Sequence, residues 1–226
     1  EGDGMELNKT ASSSKSKVVK RLNATAAASA YQKKWFFGLK ERVENGEPFG
    51  YLNADVPMEL LRAMDIPFVV NQWWAAICGA KRMTSKYYAL LKSHGYRDDL
   101  CSYCATAFAE SLDPDDHKTD EEGKPMGPWG GLPTPTLAIT RLTCDCQGKI
   151  FELFARRYGA KFYAMENTVP RKVPLKWFEL AADHWEELYD KDRLDSAVEE
   201  LHELIRFLEM ETGRMFDTNR LIEVMN

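Results

Sequence analysis

The stretch TLAITRLTCDCQGKIFELFARRYGAKFYAM, residues 136–165, decides the fold. It opens with a short apolar, β-branched run (136–141), passes through two cysteines, Cys144 and Cys146, and continues as a helical run from Lys149 to Tyr158. It closes on a second apolar run, Lys161 to Met165. Strand, helix and strand in so few residues predict a βαβ unit, whose two strands lie parallel. The same alternation extends towards the N-terminus. Phe49 to Asn53 and Ile66 to Val70 are predicted strands, with a helix opening at Val56-Pro57 between them, proline being at ease in a first helical turn. A helix is expected from Tyr31 to Val43, stopped by Asn45-Gly46, and one long helix from Trp73 to His94, stopped by Gly95. Helices are predicted over about 174–189 and 194–211 and from Asp217, with Gly213 as a break. The fold class is therefore α/β, a doubly wound and mostly parallel sheet with an N-terminal helix and a C-terminal helical segment.

In such sheets ligands bind beyond the carboxyl ends of the strands. Asn53, Asn71-Gln72, Cys144 and Glu166-Asn167-Thr168 each follow a predicted strand, so one cleft is expected to gather them. Asn53, Gln72 and Trp73 are the candidates for its substrate-facing wall. The segment 113–135, rich in Asp, Lys, Gly and Pro, is the one long irregular stretch and reads as a cover over that cleft or a partner contact. Its tip, Asp115–Gly123, carries almost no apolar residue and reads as dispensable for folding.

Four of the five cysteines form two pairs, Cys101/Cys104 and Cys144/Cys146, each where a helix should begin. There the positive end of the helix dipole favours thiolate, the form that binds iron and zinc. Cys78, in an apolar run, reads as a small hydrophobe. A zinc knuckle prefers two tight C-x-x-C loops, whereas here 40 residues and a strand separate the pairs, so an open iron–sulfur site is preferred and a zinc-stabilised scaffold is the alternative.

Composition bounds the remainder. The chain has 226 residues, 44% hydrophobic and 29% charged, with a formal charge of −5. That is enough to bury a real core, and the negative balance argues against nucleic acid as a partner. No apolar run is long enough for a membrane span, no Walker or Gly-x-Gly-x-x-Gly loop is present, and the few clustered cysteines suit a reducing, cytoplasmic setting.

The ordered set Gly50-Tyr51, Val56-Pro57-Met58-Glu59-Leu60, Ala80-Lys81, Tyr96-Arg97-Asp98-Asp99-Leu100-Cys101-Ser102-Tyr103, Cys144 with Lys149, and Phe151-Glu152 with Ala155-Arg156 resembles the benzoyl-CoA reductase/2-hydroxyacyl-CoA dehydratase family over residues 31–226. The resemblance implies a four-iron–four-sulfur cluster held by Cys101 and Cys144, with Cys104 and Cys146 as neighbours. It implies an acyl-CoA thioester substrate, a homologous iron–sulfur subunit and an ATP-hydrolysing activator as partners. Two thiolates do not complete such a cluster. A further ligand is expected from a later domain, from Cys104 or Cys146, or from a partner. The expected organisation is a flexible arm (1–29), an α/β cluster-binding domain (30–170) and a helical segment (171–226) leading to a second domain. The apolar face Leu194, Val198, Leu201, Leu204, Ile205 and Leu208 is expected to be partly uncovered. Within the family, neutral Gln72 where dehydratases often carry an acid, the Gly130-Gly131-Leu132-Pro133 segment and the paired indoles Trp73-Trp74 lean the reading towards the aromatic reductase. A 2-hydroxyacyl-CoA dehydratase subunit is the alternative, and a non-catalytic electron relay a second one.

Overall fold

The computed structural model describes residues 22–169 and 172–226. The chain divides into two units within its first helix, α1 (Asn23–Glu44): residues 1–38 and residues 39–226. Most of the arm expected over 1–29 lies outside the described residues, and the remainder is already helical from Asn23.

The second unit is built on four strands, β1 (Gly50–Leu52), β2 (Phe68–Val70), β3 (Leu137–Arg141) and β4 (Lys161–Met165), in the order β2-β1-β3-β4. Every pairing is parallel, Leu52 lying opposite both Val70 and Ile139, and Ile139 opposite Tyr163. Chain order reverses between β1 and β3, which makes their carboxyl ends the topological switch point.

Both faces of the sheet are covered, as the period-two alternation of strand side chains requires. On one face Leu52, Leu137 and Ile139 pack with Leu60 and Leu61 of α2 (Met58–Ala63) and with Leu204 and Leu208 of the long helix that follows β4. On the other face Tyr51 stacks on Phe151 at a centroid distance of 5.4 Å and meets Phe154 at a tilt, 4.6 Å away. These two rings belong to α6 (Asp145–Tyr158), the crossover between β3 and β4.

Three sequence expectations are corrected. The single helix over 73–94 is two, α3 (Asn71–Ala80) and α4 (Thr84–Ser93), because Arg82 turns the chain at a φ of 59°. The helix expected over 174–189 shrinks to α7 (Trp177–Asp183) and a 3-10 turn at Trp185–Glu187, neither with a buried residue. The tip of the 113–135 loop is not wholly dispensable, since Asp116 is 1% exposed and its carboxylate accepts the Tyr87 hydroxyl at 2.8 Å.

After β4 the chain ends in α8 (Lys191–Thr212) and α9 (Thr218–Met225). Of the apolar face of α8, Leu204 and Leu208 are fully buried, Leu194, Leu201 and Ile205 are half-buried and Val198 is exposed, so the face is partly uncovered, as expected. Further exposed apolar side chains lie on Val173, Leu175, Trp177, Phe178 and Trp185.

Candidate active site at the carboxyl ends of β1 and β3

Asn53, the first residue beyond β1, is fully buried and ties three elements together. Its N–H donates to Ile139 O at 3.2 Å, its Oδ1 accepts from Arg141 N at 3.0 Å, and its Nδ2 donates to Gln147 Oε1 at 2.7 Å. The Thr143 hydroxyl stands 2.7 Å from that same Gln147 oxygen and 2.9 Å from Asp55 Oδ2, and its single proton serves one of them at a time. The amide of Asn53 is therefore spent on pinning β1 to β3 and to the first turn of α6. Gln147 is the partner that sequence reasoning missed. It sits 94 residues away, and only its place on the apolar stripe of α6 hints at burial.

Gln72 and Trp73 occupy the first turn of α3, straight after β2. Gln72 Oε1 accepts from Ala54 N at 3.0 Å, which joins this turn to the β1 exit. Trp73 is half-buried between Trp74 and Trp129, at centroid distances of 6.1 and 5.6 Å, so the loop does reach the α3 wall. Asn71, the first residue of α3, is fully buried; it accepts the Tyr51 hydroxyl at 2.6 Å and donates to Tyr103 O at 3.0 Å. That second bond sets the first turn of α3 against the first turn of α5 (Ser102–Glu110).

Cys101 is the residue that precedes α5, and Cys144 the one that precedes α6, each extended rather than helical and each exposed. Cys101 O accepts from the N–H groups of Cys104 and Ala105, at 3.0 and 2.9 Å, so the backbone at this thiol is fixed by the first helical turn. Cys104 is buried behind it and Cys146 is half-buried. Burial foremost, and then the adjacent Cys146 thiol, push the Cys104 thiol well above its ordinary range, with Cys101 and Cys144 near enough to add to the effect. Tyr88, whose hydroxyl donates to Leu100 O at 3.2 Å, is raised by burial first and by Cys101 next. The four cysteines thus lie around one patch, two presented to solvent and two behind. Among the described residues no three His, Cys, Asp or Glu side chains close on a single metal ion. Cys78 is fully buried in α3, and burial raises its thiol.

Glu166, Asn167 and Thr168, also expected in the cleft, follow β4 at the edge of the sheet. There Glu166 N donates to Glu200 Oε1 at 2.5 Å and Glu166 O accepts from Arg141 Nε at 3.1 Å. His94, His184 and His202 are exposed.

A parallel α/β sheet with thiols at the N-termini of two neighbouring helices, beside its switch point, is the class of architecture that these residues define. The profile of the 2-hydroxyglutaryl-CoA dehydratase D-component family matches residues 53–226, and the chain belongs to that family. A curated relative, the (R)-2-hydroxyisocaproyl-CoA dehydratase alpha subunit of Clostridioides difficile, is 24% identical over 216 residues. The match covers 92% of this chain and 43% of the relative, so the chain spans somewhat under half of that subunit's length. Both findings fall on the dehydratase side of the wider family, against the lean towards the aromatic reductase. No helix among the described residues is long and apolar enough to cross a membrane.

Proposed function

We propose that this chain forms part of a subunit of a 2-hydroxyacyl-CoA dehydratase-type enzyme, a lyase that removes water from a 2-hydroxyacyl-CoA thioester. The observation that carries the reading is the pair of exposed thiols, Cys101 and Cys144, at the starts of two adjacent helices in a chain of this family. Free N–H groups and the dipole at each helix start favour thiolate there.

The donor set fits an iron–sulfur cluster better than a lone ion. A cluster is several ångströms across and asks for thiolates that stand apart, whereas among the described residues no three donors converge on a point. Cys101 and Cys144 would hold it, and half-buried Cys146 is this chain's own candidate for a third contact. When bound, the cluster supplies single low-potential electrons to the thioester. The protein's own part is placement and shielding. Asn53, Gln147 and Thr143 fix the β3–α6 turn that carries Cys144, and Trp73 with Trp129 forms an apolar wall that excludes water from the acyl group. A related iron–sulfur subunit and an ATP-hydrolysing activator complete the system.

One observation keeps the aromatic reductase as a second reading. Gln72 is an amide, so it has no carboxyl group with which to assist the departure of hydroxide.

The test begins with anaerobic reconstitution of the chain with iron and sulfide. Visible absorbance and electron paramagnetic resonance should report a cluster, and Cys101→Ser and Cys144→Ser should each lose it while circular dichroism stays unchanged. A chain that takes up zinc alone overturns the cluster. With activator, ATP and the related subunit, a 2-hydroxyacyl-CoA should lose the mass of one water. Benzoyl-CoA gaining two hydrogens instead would select the second reading.

A further inference from the structure

Three carboxyl groups lie almost dry beneath the 113–135 loop. Glu110, at the end of α5, is 2% exposed, Asp116 1% and Asp113 7%. Asp113 is paired with Lys86. Glu110 and Asp116 face each other within hydrogen-bond reach. Each already uses one oxygen: Glu110 Oε1 accepts from Leu132 N at 2.9 Å, and Asp116 Oδ1 accepts the Tyr87 hydroxyl at 2.8 Å. The other two oxygens, Glu110 Oε2 and Asp116 Oδ2, are buried, and the Trp74 indole is directed at the Glu110 carboxyl.

The surroundings offer little to neutralise two charges. Tyr51 of β1, Cys78 and Trp74 of α3, Tyr87 of α4, Tyr158 of α6 and Asp113 of the loop face the pair. Nearby basic groups are Lys86, committed to Asp113, half-buried Lys40 of α1, whose ammonium donates to Gly130 O at 2.7 Å, Arg157 of α6, whose Nε donates to Ser111 O at 2.6 Å, and the exposed His117 ring, 3.3 Å from Gly130 O. Two bare carboxylates side by side in a buried site repel strongly, and a single neutral indole does not offset that, whereas one proton between them removes a charge and joins the two carboxyls by a hydrogen bond.

We propose that Glu110 and Asp116 share one proton, and that this proton latches both legs of the 113–131 loop and so holds Trp129 against Trp73. Glu110 Oε2–H donates to Asp116 Oδ2; Asp116 anchors the first leg and Glu110, through Leu132, the second. The legs are in close contact, since a Cβ at Gly127 would collide with Asp116 O and one at Gly131 would stand 2.5 Å from the His117 ring. After Gly127 the chain runs through three successive residues of positive φ, Trp129, Gly130 and Gly131, at 51°, 79° and 78°. A tryptophan is held in that region only by its surroundings, so the run depends on both anchors.

Burial holds the Glu110 carboxyl well above the usual carboxylate range. A group raised on folding favours the closed state below its unfolded value, and that advantage is lost as pH climbs through the folded value. The latch is therefore shut at neutral pH and loosens on the alkaline side.

The test compares amide hydrogen exchange over 127–132 in the full-length chain and in Glu110→Gln, whose amide donates to Asp116 at every pH. Comparing the same amides at the same pH cancels the intrinsic chemistry. Wild-type exchange relative to the variant should rise by up to about tenfold per pH unit above neutrality, the limit for one linked proton. A ratio that stays flat to pH 10 overturns the latch. Should Glu110→Gln not fold, Asp116→Asn, which can donate to Glu110, replaces it. Infrared spectra of the wild type at pH 7 should also contain the carbonyl stretch of a protonated carboxyl; its absence overturns the shared proton.

Discussion

Two helices begin with a cysteine presented to solvent, yet they are held in place by opposite means. In α5 every residue from Cys104 to Glu110 is buried, with no acid in its first turn and no base in its last. In α6 the buried residues are Gln147, Ile150, Phe151, Phe154 and Ala155, the spacing of one helical face. Asp145 sits in its first turn, Arg156 and Arg157 in its last, and Gly159 stops it in the left-handed region at φ 67°. Local rules alone therefore account for α6, whereas α5 exists because α3, α4 and α6 enclose it. A thiol site built between the two inherits one wall from the sequence nearby and one from the packed core.

The joint between them is the place to break the comparison. Phe154 of α6 meets Phe108 of α5 edge-on at 5.5 Å and also contacts Tyr51 and Tyr158. Phe154→Ala should cost about 3–5 kcal/mol by urea unfolding, from lost burial plus a cavity. A loss under about 1 kcal/mol would mean that the helices are not coupled through this ring. Next in size is Asn53→Ala, which removes the acceptor for Arg141 N–H and the donor to Gln147. It should cost about 1–3 kcal/mol, the range for leaving buried polar groups unpaired. Unchanged stability with impaired turnover would instead return Asn53 to the substrate wall.

These magnitudes track what the sequence made legible. The Asn45-Gly46 stop, the Pro57 helix start and the Gly159 turn follow from backbone preference within a few residues, and the alternation of short strands with helices supplied the parallel sheet. Both cysteine-capped helix starts were readable for the same reason. The break at Arg82 was not, because no Gly or Pro marks a position where a left-handed residue is held by tertiary context. Long-range polar partners were equally hidden, Asn53 with Gln147 and Glu110 with Leu132 N–H across the loop. A trace of the second was present, as a lone acid closing the small, apolar run Ala105–Ala109. Only the fold shows that the residue after that run still points into the core.

Smaller effects sharpen the comparison on the α6 side, where local rules dominate. Gly159→Ala places a Cβ at φ 67° with nothing within 4 Å to obstruct it, so the cost is purely conformational, about 1 kcal/mol in thermal or urea unfolding. A clearly larger loss would mean that the α6–β4 turn has tertiary contacts beyond its own backbone.

The smallest expected effect lies one turn earlier. Arg156 Nη2 pairs with Glu152 Oε1 at 2.5 Å across one helical turn, and their side chains are 73% and 47% exposed. Solvent and salt screen such a pair, and two long side chains lose freedom in forming it. Glu152→Gln should therefore cost about 0.3–0.5 kcal/mol at low ionic strength and less in high salt. Because α6 is amphipathic and locally specified, this increment should appear in full in the stability of the whole unit. Charge reversal at Glu152 that left stability unchanged at every salt concentration would show that α6, like α5, is held by its neighbours alone.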